Sequence, residues 1–116
     1  MAIVIYHNPR CSKSRETLRR IEAAGHTPRV VEYLKDPPDA ATLDALCRKL
    51  SMAPQALVRT RETVFETLGL SLDDHRSRSE WLNLLAEHPI LMERPIVLNG
   101  NRAVLGRPPE NVDVLL

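Results

Sequence analysis

The stretch His7-Asn8-Pro9-Arg10-Cys11-Ser12-Lys13-Ser14-Arg15 concentrates the side chains of this chain that can do chemistry. A thiol is a weak nucleophile at neutral pH until it ionises. The first turn of a helix favours the ionised form, because its backbone N–H groups are unpaired and its dipole is positive there. His7, Arg10, Lys13 and Arg15 add positive charge close by in sequence. The same donors suit a tetrahedral anion, since N–H groups that stabilise S⁻ also cradle an oxyanion. The plainer reading of Cys11 is a small apolar side chain under a strand–helix turn. Its position and the surrounding charge favour the nucleophile. Ser14 stands where a C-x-x-C redox motif has its second cysteine. The motif therefore lacks a resolving thiol, and a thiol from outside the chain is expected to supply reduction.

Cys47 reads differently. It falls within the apolar series Leu43, Leu46, Cys47, Leu50 at helical spacing, so it is expected to be buried filler. A resolving role would need its Cα within about 7 Å of that of Cys11. Three arginines have apolar or proline neighbours: Arg59 after Ala56-Leu57-Val58, Arg94 before Pro95-Ile96-Val97, and Arg107 between Gly106 and Pro108. Singly, each is as readily a solvated surface side chain. As a set, their planar forks match a tetrahedral oxyanion bidentately.

These residues need elements to hold them. Ile3-Val4-Ile5-Tyr6 reads as a strand buried on both faces, and the turn His7–Arg10 leads to a helix from about Cys11 to Ala24. Leu18 and Ile21 mark the apolar face of that helix, and Gly25 stands where a C-terminal cap is wanted. Residues 29–34 are a second strand candidate, completing a βαβ unit with a parallel pair. Asp39 is a good N-cap for the next helix. Pro54 to Leu57, Val64 to Gly69, and a capping box at Ser77-Arg78-Ser79-Glu80 announce further helical pieces, the last carrying Trp81, Leu82 and Leu85. Ile96-Val97-Leu98 and Ala103-Val104-Leu105 flank Asn99-Gly100-Asn101, whose residues suit the positive φ of a hairpin turn. Pro108 and Pro109 can open a terminal helix carrying Val112 and Leu115.

A βαβ half, a helical block and a ββα half are the order of an α/β, thioredoxin-like sheet with a helical insertion in the middle. The expectation is one domain over residues 1–116, with the insertion at about residues 39–88. In such folds the junction before the third strand is a cis-proline beside the active cysteine, so a cis bond is expected at Arg94-Pro95.

Composition narrows the function classes. The 116 residues carry 16 Lys+Arg against 15 Asp+Glu, a formal charge of +1, which gives no support to a nucleic-acid or acidic-membrane binder. Tyr6, Tyr33, Phe65 and Trp81 are too few aromatics for a single-strand stacking platform. Two cysteines suit neither a secreted disulfide scaffold nor a Cys-rich zinc site. The apolar start Met1–Tyr6 is too short for a signal peptide or a membrane span. The expected compartment is the cytoplasm, where thiols stay reduced.

Taken in order, these motifs resemble the glutaredoxin-coupled arsenate reductases over essentially the whole chain. The matching pieces are Tyr6-His7-Asn8-Pro9 with Cys11 and Ser14-Arg15, then Tyr33-Leu34 with Pro37-Pro38. Ala56-Leu57 with Arg59, His88-Pro89-Ile90-Leu91, Arg94-Pro95-Ile96-Val97, and Arg107-Pro108 with Glu110 follow. Arg10 and Ser12-Lys13 mark a sub-branch, since members with well-established activity have small residues beside the cysteine. The resemblance implies Cys11 as the nucleophile, His7 and Ser14 as modulators of its pKa, and Arg59, Arg94 and Arg107 as the oxyanion-binding residues. It implies reduction of arsenate to arsenite with glutathione as co-substrate, glutaredoxin as partner, and no bound metal or redox cofactor. Two other readings remain open. One is a general glutathione-dependent thiol–disulfide reductase using the same Cys11. The other is a redox-sensing transcription regulator binding RNA polymerase, whose usual C-x-x-C switch Ser14 removes.

Overall fold

The computed structural model describes residues 2–116; Met1, at the head of the apolar run, lies outside them. The chain forms two compact units, one from the segments ending at Asp36 and beginning at Arg94, the other from Pro37 to Glu93.

The first unit is a mixed four-stranded sheet of order β2-β1-β3-β4, built from β1 (Ile3–His7), β2 (Arg29–Glu32), β3 (Ile96–Asn99) and β4 (Arg102–Leu105). β1 runs parallel to β2, with His7 opposite Glu32, and antiparallel to β3, with Tyr6 opposite Ile96. The second strand stops two residues short of the expected Leu34. The N–H groups of Lys35 and Asp36 both bond the Glu32 carbonyl, at 2.9 and 3.0 Å, and turn the chain there. β3 and β4 are joined across Gly100-Asn101, and only Gly100 takes a positive φ (64°); the flanking asparagines do not. A single glycine at the first turn position is enough for a two-residue hairpin.

Helix α1 (Ser12–Ala23) connects β1 to β2. It ends at Gly25 (φ 90°), where the Gly25 N–H bonds the Glu22 carbonyl and the His26 N–H bonds that of Ile21. That pair is the Schellman closure, which only a residue tolerant of left-handed backbone completes without strain. Ile21 and Leu18 pack with Ile3, Ile5, Val97, Val104, Val112 and Leu115 into the core of this unit. The chain end is a 3-10 helix, Pro109–Leu115, rather than an α-helix. The i, i+3 repeat of that helix places Val112 and Leu115 on one side, where both are buried.

The second unit is helical. Asp39 caps α2 (Ala40–Leu50) by accepting the Thr42 N–H at 2.8 Å. Helix α3 (Thr63–Thr67) is a single turn, and Leu68 beyond it is exposed. Ser77 and Glu80 complete the expected capping box ahead of α4 (Arg78–Glu87). α2 and α4 contribute Leu43, Leu46, Cys47, Trp81, Leu82 and Leu85 to the interior. Among the described residues no helix is long and apolar enough to cross a membrane.

Candidate functional site

The site begins where β1 ends. The Cys11 N–H donates to the Asn8 carbonyl at 3.0 Å, and Asn8 Oδ1 accepts the Arg10 N–H at 3.0 Å. Asn8 thus forms a side-chain turn inside a backbone turn, which fixes residues 8–11 before the helix starts. Arg15 Nη1 ties the same loop from outside by donating to the Pro9 carbonyl at 3.0 Å. Cys11 is the N-cap of α1, in extended conformation (φ −93°, ψ 121°). Its carbonyl takes the first helical bond, from the Arg15 N–H at 3.0 Å. The sulfur therefore occupies the place where a capping oxygen would collect the orphan N–H groups of the first turn.

That placement governs the thiol's acidity. Burial pushes the Cys11 pKa up, but the Ser14 N–H, the Arg94 side chain, the Lys13 N–H and the Arg94 charge outweigh it. The net effect holds Cys11 below the ordinary thiol value. Arg107 Nη1 lies 3.9 Å from Cys11 Sγ and donates to the Arg94 carbonyl at 3.2 Å, which links the two arginines around the sulfur.

His7 and Ser14 are buried behind the nucleophile. Ser14 Oγ is 2.6 Å from His7 Nδ1 and accepts the Asn8 N–H at 3.1 Å. Burial lowers the His7 pKa, the Glu32 carboxylate opposes this, and the Arg15 charge adds to it. The net shift is downward from a starting point already near neutrality, so His7 favours its neutral form at neutral pH. The expectation that His7 adds positive charge beside Cys11 is therefore corrected, because a buried imidazole loses hydration that its proton needs. The cations at the sulfur come from Arg94 and Arg107, far from it in sequence.

Gly106 sets the approach of Arg107. A Cβ there would stand 2.5 Å from Thr17 Oγ1 and 2.7 Å from Pro95 Cγ, so only glycine fits. The Gly106 N–H bonds the Pro95 carbonyl at 2.9 Å. The Arg94-Pro95 bond is cis, and so is Arg107-Pro108. Cys11, His7, Ser14, Arg94, Pro95 and Arg107 all belong to the first unit. Arg59 belongs to the second, where Nε meets Glu62 Oε1 at 3.0 Å and Nη1 lies 3.6 Å from Glu93 Oε2.

Residues 6–115 match the signature of the ArsC family. The chain belongs to the ArsC family. Among its relatives, this ArsC chain is 46% identical over 111 residues to the uncharacterized protein YfgD of Escherichia coli (strain K12), covering 95% of this chain and 92% of that one. It is 41% identical over 115 residues to an arsenate reductase of Neisseria meningitidis (98% and 97% covered). A solved structure, the arsenate reductase from Vibrio cholerae, superposes with a TM-score of 0.94 at 43% identity, covering 100% of this chain and 98% of that one. Two contributors to this ArsC site escape a reading by residue type. Asn8 is legible only through the turn preference of Asn-Pro, and Gly106 carries no local signal, because the atoms that exclude a Cβ come from Thr17 and Pro95.

Proposed function

We propose that this chain reduces arsenate to arsenite, with glutathione and glutaredoxin supplying the electrons. The observation that carries the reading is a cysteine at a helix N-cap, with lowered pKa, flanked by Arg94 and Arg107. The arsenate reductases among the relatives support the substrate.

The Cys11 thiolate attacks the arsenic of arsenate and displaces one oxygen as water after protonation, giving a Cys11 S–As(V) adduct. Arg94 and Arg107 neutralise the remaining oxygens. A forked guanidinium is the right donor, because it meets two oxygens of a tetrahedral anion at once. Glutathione thiolate then attacks the Cys11 sulfur. The S–As electron pair leaves with arsenic, which becomes trivalent, and Cys11 is left as a mixed disulfide with glutathione. Glutaredoxin thiolate takes the glutathione sulfur and releases the Cys11 thiolate. Two thiols supply the two electrons, so no bound redox group is required. Serine at position 14 agrees with this, since an internal thiol there would compete for the same sulfur. His7 and Ser14 act by holding the helix start that faces the sulfur. Arg59 is the third proposed oxyanion ligand, on the resemblance, and serves by exchanging a carboxylate partner for the anion.

Steady-state arsenate reduction with glutathione, glutaredoxin and a glutathione-recycling system tests this. Turnover that needs both thiol components is expected. Reduction of a glutathionylated substrate with no arsenate turnover would replace this reading by that of a general thiol–disulfide reductase.

A further inference from the structure

A groove of about 250 Å³ opens on the face of the first unit beside the Cys11 turn. His7 and Asn8 lie at its base, Pro9 and Leu34 form apolar walls, and Arg10, Lys35 and Glu32 bring charge to it. The nucleophilic step uses none of the last five. Leu34 is 40% exposed, and Arg10 makes no ion pair among the described residues. Lys35 Nζ lies 3.8 Å from Glu32 Oε1 and is mostly solvated, a loose contact that a ligand could displace at little cost.

We propose that this groove binds glutathione, with Arg10 and Lys35 taking its carboxylates, Glu32 its ammonium, and Pro9 and Leu34 its methylene chain. The inference rests on glutathione being the thiol that relieves Cys11. Charge decides the ligand class. Two cations and one carboxylate complement a molecule with two carboxylates and one ammonium. A bare oxyanion would instead meet Glu32 and apolar walls. Reach agrees with this. Arg10 and Cys11 are consecutive, with Cα atoms about 3.8 Å apart, and a tripeptide extends at most roughly 10 Å. The groove lining ends at Arg10, the residue before the nucleophile, so a tripeptide seated there lies next to the Cys11 turn. The doubled Asn8 turn holds Arg10 in that register.

The test is a titration of the full chain with S-methylglutathione, which cannot react with Cys11, followed by amide chemical shifts. Saturable shifts at Arg10, Glu32, Leu34 and Lys35 are expected. Arg10→Glu with Lys35→Glu should weaken binding by about tenfold or more, whereas Arg10→Lys with Lys35→Arg should keep it. Lys35→Glu alone, which leaves the loop before Cys11 as it is, should raise KM for glutathione and leave KM for arsenate unchanged. No shifts at these amides, or equal shifts with inorganic phosphate, would overturn the proposal. The titration does not depend on turnover. Arsenate reduction without groove shifts sinks the groove alone, and groove shifts without arsenate reduction support it while sinking the substrate reading.

Discussion

Cys11 and Cys47 are one side chain in two regions, and burial acts on both in the same direction by raising the pKa. The outcomes are opposite. At Cys47, inside α2, the backbone N–H groups are committed to carbonyls four residues back, so none is free to meet the sulfur. Arg78 and Asp44 act there with opposite signs, burial dominates, and the thiol stays neutral among Leu43 and Leu46. At Cys11 the helix is only starting. The unpaired N–H groups of Ser14 and Lys13, with Arg94, overturn the cost of burial. Reactivity is thus a property of the position along a helix more than of the residue type. The arginines repeat the lesson. Arg94 and Arg107 converge on a sulfur, while Arg59 is satisfied by two carboxylates within its own unit.

The sharpest way to break this contrast is to remove each thiol. Cys11→Ser should lower arsenate turnover on the order of 10³-fold or more, as loss of a nucleophile does. Cys47→Ser should leave turnover near wild type, and urea unfolding should show a loss of about 1–3 kcal/mol from a hydroxyl buried in an apolar setting. Equal losses of turnover would sink the division into one reactive and one structural cysteine. Arg107→Ala and Arg94→Ala come next. Each removes a charge-assisted donor and should cut kcat/KM roughly tenfold to a hundredfold. An unchanged kcat/KM in both would remove the arginines from the anion site.

Gly106→Ala should have a smaller kinetic effect of the same kind. The added Cβ must push Thr17 or Pro95 aside, and Arg107 moves with the backbone, so KM for arsenate rises while the stability cost is about 1–3 kcal/mol. A melting curve and an arsenate titration on the same variant separate the two effects.

The mildest test is titration of the thiols by ultraviolet absorbance in the two cysteine variants. Cys11 should ionise below the ordinary thiol value and Cys47 above it. The stability consequences have opposite sign. The Cys11 thiolate contributes stability that is fully present above the unfolded thiol pKa and is lost as pH falls through the lowered folded value. Cys47, with a raised pKa, contributes below the unfolded value, and that contribution is lost as pH rises through the folded one. Cys47 ionising first would reverse the comparison.

Much of this architecture is legible from local chemistry. The caps at Asp39, Ser77 and Gly25, the apolar stripe of α2 and the hairpin at Gly100 each depend on residues within a few positions of one another. Less legible are the places where neighbours compete. The Glu32 carbonyl ends β2 early, and the expected terminal helix takes the 3-10 form, whose i, i+3 repeat buries Val112 and Leu115 together. His7 looked like a cation by residue type. Its neutrality follows from burial, which no single position reveals.

By itself the sequence determined that a thiol stands at a helix start without a second thiol three residues on, because capping and turn formation are local and act over a few bonds. It also determined the βαβ and ββα order, because periodicity and punctuation are written along the chain. Only the tertiary structure decided which charges meet that thiol. Arg94 and Arg107 reach Cys11 because β3 pairs with β1 and β4 with β3, and because Gly106 lets backbone pass where no side chain fits. Electrostatic influence depends on distance in space and on hydration, and both are set by packing between residues about a hundred positions apart.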